Sequence, residues 1–289
     1  MIYADLIDHI LLLRRVLGHP EMTREGPMLD HFINEYRRRM TEQEMTTKQQ
    51  QLALPWQVEW IWHVHRLHPL DYDKDCKAFG SRILIDKKAY NLITPSYTNS
   101  HSKMRSPPIG NDLPSFASSI DLVQGAIRQR DFLEKFQRHR LYSHTFTEHD
   151  HSDFDQLVQN YVAFLKLARK NEMIVPTFDI DLIWHSHMRR PSQYQACSIA
   201  LCGFVLDHDD SIDKDTLSKN YQLTIDRWKQ TYNIDYGQNV HRKTVPPSRD
   251  VSSSSGCSGF SLSAAFQNAS ESICSGGGDG GCGGGCGGD

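Results

Sequence analysis

Two short stretches of this chain carry residue types able to do chemistry. In the first, Glu59 is followed by Trp62, His63, His65 and His68; in the second, Asp181 is followed by Trp184, His185 and His187. Neutral imidazoles are metal ligands and proton carriers, and a carboxylate four residues earlier on a helix can bond an imidazole and fix its tautomer. Side chains two apart on a helix point about 200° apart. One helix therefore cannot aim His63 and His65, or His185 and His187, at one ion. A metal centre needs both motifs: His63 and His185 together, with His68 or a thiol of Cys76 or Cys197 added, and zinc as the ion. General acid–base work by an Asp–His pair would need a nucleophile, and no GxSxG sequence is present. The leading expectation is architectural: acid–imidazole pairs satisfying one another inside the fold, with Trp62 and Trp184 anchoring the packing. No catalytic residue and no cofactor are assigned, and zinc is the alternative.

These residues must sit on helices. The stretch from Pro55 to Pro69 is about 15 residues, too long for an ordinary strand. Trp62, His63, His65, Pro69 and Tyr72 match Trp184, His185, His187, Pro191 and Tyr194 at one offset, 122 residues (184 − 62). Five matches of rare types at fixed spacing mark an internal repeat. It extends upstream. Leu6, Ile7, Leu11, Val16 and Leu17 fall on Leu122, Val123, Ile127, Phe132 and Leu133, and Tyr36 falls on Tyr161. Thr177, ahead of Asp179 and Asp181, suits a helix start, and Pro191 ends that helix. Each unit reads as helix, helix, proline-capped helix and turn, closing at Gly80 and Gly203. Residues 82–85 and 203–206 fit a strand or a helix end equally.

The expected class is mainly α: two pseudo-repeated helical units and a disordered C-terminal tail. Residues 1–96 form the first unit, 97–114 a Ser/Pro/Asn-rich linker and 115–245 the second. Residues 246–289 form a Ser/Gly/Cys-rich tail with ten glycines in its last fourteen residues. Such a segment buries too little apolar surface to offset its ordering entropy. A hydrophobic share of 38% supports a core elsewhere, and a net charge of −3 gives no general pull towards nucleic acid or anionic membrane. No apolar run reaches the ~18 residues of a membrane span, and the N-terminus lacks a basic start and cleavage site. The expected location is the cytoplasm, with the nucleus as alternative. Seven cysteines without a secretory signal argue against a disulfide framework.

Other polar groups read as solvated. They are the His149–His151 loop, the His208–Asp210 loop, which could bind a hard cation but lacks the rest of an EF-hand pattern, and the arginine runs Arg37–Arg39 and Arg189–Arg190. No GxxxxGK[ST] or GxGxxG motif offers a phosphate loop. The tail cysteines, Cys282 and Cys286 among them, could take a soft metal or an acyl chain, but a tether is the simpler reading. The tail lacks aromatics near its end for base stacking.

Both motifs, the Leu206–Asp210 stretch after the second and the terminal glycines resemble the glycine-rich domain-containing proteins, best known in plants. The resemblance covers about residues 3–236. It implies a domain without established catalytic activity and roles in stress or developmental regulation. The family pattern has Leu-His-Pro after the motif, as at Leu67–Pro69, where the second unit has Arg189-Arg190-Pro191. The expected function is a non-enzymatic interaction or scaffold protein with a protein partner. The alternatives are a metal-binding protein or metal-dependent hydrolase, and an RNA-associated protein acting through the tail.

Overall fold

A computed structural model describes residues 2–79, 84–88, 115–146 and 151–240. The expected linker, the 246–289 tail, the Gly80 turn and His149–Asp150 lie outside them. Among the described residues every regular element is helical, apart from one isolated bridge between Arg169 and Glu172. The mainly α expectation holds.

In the first half α1 (Ile2–Leu17) leads through a 3-10 turn at Pro20–Thr23 to α2 (Pro27–Thr41), the short α3 (Lys48–Leu52), α4 (Trp56–Arg66) and α5 (Pro69–Ala78). The second half runs through α6 (Leu122–Arg138), α7 (Arg140–Ser143), α8 (His151–Leu167), α9 (Phe178–Met188), α10 (Pro191–Cys202) and α11 (Lys214–Tyr232). The helical spacing of Leu6, Ile10, Leu13 and Val16 puts one apolar face of α1 in the core. Asp5, Asp8 and His9 are buried on the same helix.

The two motif helices are α4 and α9. Thr177 is the N-cap of α9, accepting from the Ile180 amide. The expected turn after each motif is instead another helix, because Pro69 and Pro191 stand at first helical positions. There a proline needs no amide hydrogen and its fixed φ suits the helix. The break between helices falls on the residue pair before each proline. Leu67 and Arg189 keep helical angles, and His68 and Arg190 swing out to φ −111° and −118°. Gly203 closes α10 in the left-handed conformation, φ 85°, where a side chain would be strained.

α2 lies on α4 and α8 on α9, while α6 packs across α4 and links the halves. At that crossing a Cβ on Gly125 would meet Val64 Cγ1 at 2.9 Å, so only glycine allows this approach. α11 closes over α8: Trp228 is buried, and the Tyr232 hydroxyl donates to the Ala163 carbonyl at 2.8 Å.

Candidate functional site

The aromatic and second-histidine positions of the two motifs make the same bonds. The Trp62 indole donates to the Tyr72 hydroxyl at 3.1 Å, and Trp184 to Tyr194 at 3.0 Å. Tyr36 meets His65 Nδ1 at 2.7 Å, and Tyr161 meets His187 Nδ1 at 2.9 Å. His65 Nε2 also lies 3.0 Å from Asp75, which accepts from the Ser119 amide. Burial lowers the pKa of His65 against the pull of Asp75, and brings His187 to about 4. Both rings are neutral parts of the core.

The acid positions diverge. Asp181 Oδ1 lies 3.2 Å from His185 Nε2, at the spacing expected for an i,i+4 pair. Glu59 does not pair with His63. It accepts from Lys87 Nζ at 2.6 Å and from the Arg189 guanidinium, which also holds Asp8. Arg189 is fully buried, and Arg190 bonds Asp5. The expectation of solvated arginines at 189–190 is therefore corrected. Acids from α1 and α4 lie under the end of α9, and a buried guanidinium is tolerable only against such acids. Burial would raise the Glu59 carboxyl, but Lys87, Arg189 and Arg66 overcome it and hold it near 2. Arg66 stacks 3.8 Å over the Trp62 ring and donates to the Arg189 carbonyl at 2.6 Å. It is brought down to about 10 by burial and by Arg189.

With Glu59 engaged elsewhere, His63 is left buried with neither ring nitrogen hydrogen-bonded. Its ring centroid is 4.6 Å from His9 and 6.2 Å from His185. The Ser186 hydroxyl donates to the Leu182 carbonyl, so it accepts from His9 Nδ1 at 2.9 Å. That tautomer leaves a lone pair on His9 Nε2, which has no hydrogen-bond partner. Burial first, then neighbouring Arg189, keeps His9 well below the usual histidine range; His63 is likewise lowered by burial, with His9 and Arg189 adding.

The donors that converge are Asp181, His185 and His208, whose ligand atoms all lie within 4.8 Å of one another. His185 Nε2 is 3.0 Å from His208 Nε2, and Asp181 Oδ1 is 3.8 Å from His208 Nε2. Although Asp181 Oδ1 is near both rings, it forms no properly angled hydrogen bond with either. His208 Nδ1 donates to the Leu67 carbonyl at 3.1 Å, which puts its lone pair on Nε2, facing His185. Burial and His185 bring His208 to about 4, so it is neutral near pH 7. Burial would raise Asp181, but His185, His208 and Lys135 hold it below the ordinary range. Phe132 stacks on His185 at 4.3 Å, and Trp184 stands edge-on to His208 at 5.1 Å.

Of the sequence's metal candidates only His185 belongs to this group. Cys76 is a buried thiol pushed up to about 12 by burial, and Cys197 is raised likewise. His68 Nε2 lies 3.5 Å from Asp210, which is held by Arg128 and Gln129. Sequence reasoning missed His9, Lys87, Arg189 and His208. The signal for His9 was an imidazole and two acids on an otherwise apolar helix face; His208 stood in a His-Asp-Asp run read as a solvated loop, which is corrected here, since the His208 and Asp210 side chains are largely covered.

Residues 85–197, which include the second motif and not the first, match the glycine-rich domain-containing protein-like family. The chain is related to the glycine-rich domain-containing proteins. Glycine-rich domain-containing protein 1 of Arabidopsis thaliana is 28% identical over 277 residues, covering 83% of this chain and 33% of that protein. Glycine-rich domain-containing protein 2 of the same plant is 30% identical over 214 residues, covering 64% and 26%. The chain thus spans a third or less of the length of these relatives. No solved structure matches it. His208, outside the stretch matching the glycine-rich domain-containing protein-like family, completes a group begun by Asp181 and His185 within it.

Proposed function

We propose that this chain is a non-enzymatic helical interaction protein in which the Trp-His-x-His motifs serve as architecture. The observation that carries this reading is the buried Asp8–Arg189–Glu59–Lys87 cluster. The strongest acids and bases near the motifs neutralise one another inside the core, and Tyr36, His65 and Asp75 satisfy one another by hydrogen bonds. None of them is held ready for a substrate. A body built this way offers surface, and α11 carries exposed Tyr221 and Leu223. The proposed partner is a protein, and the proposed setting is the cytoplasm. The resemblance to plant relatives adds stress or developmental regulation as the process served. Among the described residues no helix is long and apolar enough to cross a membrane.

The test is in-cell crosslinking of the full chain alongside assays on ester, amide and phosphomonoester probes, with and without zinc. The expected result is a discrete set of protein crosslinks, lost on Tyr221→Ser with Leu223→Ser and kept in Glu59→Gln, and no turnover. Turnover abolished by Glu59→Gln or His185→Ala in folded protein would overturn the reading.

A further inference from the structure

The geometry points to a mononuclear divalent transition-metal site formed by Asp181, His185 and His208. It goes beyond the interaction reading, which stands with or without a metal.

The donors are spaced for coordination. Ligands about 2.0–2.2 Å from zinc at tetrahedral corners are about 3.3–3.6 Å apart. The three separations here, 3.0, 3.2 and 3.8 Å, bracket that edge. Asp181 Oδ1 comes this close to both imidazoles without lying on a hydrogen-bond line to either. His185 Nε2 donates to His208 Nε2, so an ion entering here would replace that one proton between the two rings and take up the unbonded Asp181 oxygen beside them.

The surroundings match as well. A ligating histidine usually donates its other ring nitrogen to a carbonyl, which fixes tautomer and orientation. His208 does so to Leu67 at the end of α4, where helix carbonyls lack intrahelical partners. Asp181 and His185, one turn apart on α9, form the second edge. Phe132 and Trp184 wall the group with rings. His185 is 2% exposed, while the side chains of Asp181 and His208 are 22% and 11% exposed, leaving a way in for an ion. Two imidazoles and one carboxylate, with no thiolate, select a borderline divalent cation and leave a fourth position for water. Zinc is the assigned ion. Binding needs no proton release from His208, whose Nε2 already bears the lone pair.

The experiment uses the full chain with its thiols alkylated, so that the tail cysteines do not contribute. It is titrated with Co²⁺ as the coloured substitute for zinc. The expected result is one equivalent bound with an intense tetrahedral d–d band that zinc abolishes and no thiolate charge-transfer band. Asp181→Asn and His208→Gln should each weaken binding by more than about ten-fold, the least that removing even an outer partner of a ligand does. His68→Gln, next to the group but outside it, should bind as the parent does. Far-UV circular dichroism checks folding, and Asp181→Asn decides if His208→Gln does not fold. No tetrahedral band in the parent, or a band unchanged in folded Asp181→Asn, would overturn the assignment. Neither outcome bears on the crosslinking test of the interaction reading.

Discussion

Arg189, at the end of the second motif helix, is fully buried against Glu59, which lies in the first turn of the first motif helix. The contact joins residues 130 apart. Removing one member of a buried pair leaves the other charge uncompensated, at a cost of about 3–5 kcal/mol. Arg189→Ala should lower stability by that much in urea unfolding, because Asp8 and Glu59 both lose its guanidinium. A loss below about 1 kcal/mol, as for an exposed pair, would show that the guanidinium is not the centre of the cluster.

Acid should unfold the protein through Glu59. Its carboxyl falls from an ordinary 4.5 to about 2 in the fold, held there by Lys87, Arg189 and Arg66 against burial, with Asp8 the acid beside it. A depressed carboxyl contributes stability that is full above 4.5 and lost as pH falls towards 2. The urea midpoint of the parent should drop across that window, and Glu59→Gln should flatten the drop while lowering stability at neutral pH. Equal slopes for the two proteins would place the acid sensitivity elsewhere.

The tyrosine–histidine bonds give a matched pair of tests. Tyr36→Phe strips a partner from a buried imidazole and Tyr161→Phe from a half-buried one, and each should cost about 1–3 kcal/mol. The two contacts share a geometry, and the deeper burial of His65 should make the Tyr36→Phe cost the larger. An experimental structure should further superpose Leu54–Cys76 on Val175–Cys197. Motifs that fail to overlay would defeat the repeat inferred from the 122-residue offset.

How much of this could be read in advance depended on how far apart the partners lie. The motif helices, the Thr177 cap and the approach of Asp181 to His185 follow from spacings of three and four, which a helix turns into contact. Pro191 was read as a stop, although it also starts the next helix, because one residue type serves both ends of a break. Glu59 carries the same local signal as Asp181 and goes elsewhere. Lys87 and Arg189 compete for it, and nothing within four residues reveals them. His208 comes into the site from 23 residues past His185 and is aimed by a carbonyl from the first half. Such a residue becomes visible only once the chain is folded.

The crossing of α4 and α6 can be tested at one atom. Gly125→Ala adds helix propensity, but its methyl would strike Val64, which is buried and stiff at χ1. The substitution should destabilise by about 1–3 kcal/mol, and Val64→Ala in the same chain should recover part of the loss. A more stable Gly125→Ala single variant would mean that the helices can move apart there without cost.

The buried charge cluster has a consequence for how the chain reaches this state. Its members come from α1, α4, the 84–88 segment and the end of α9, so the balance closes only when all four have arrived. A partly folded chain holding only the first half would have to leave Asp8 and Glu59 wet or bury them without the guanidinium that bonds both, and one holding only the second would strand Arg189 without either acid. Half-built forms are thereby penalised relative to both the finished body and the open chain. The boundary that divides the repeat in sequence should then not be a boundary in folding, and the halves should gain and lose their structure together.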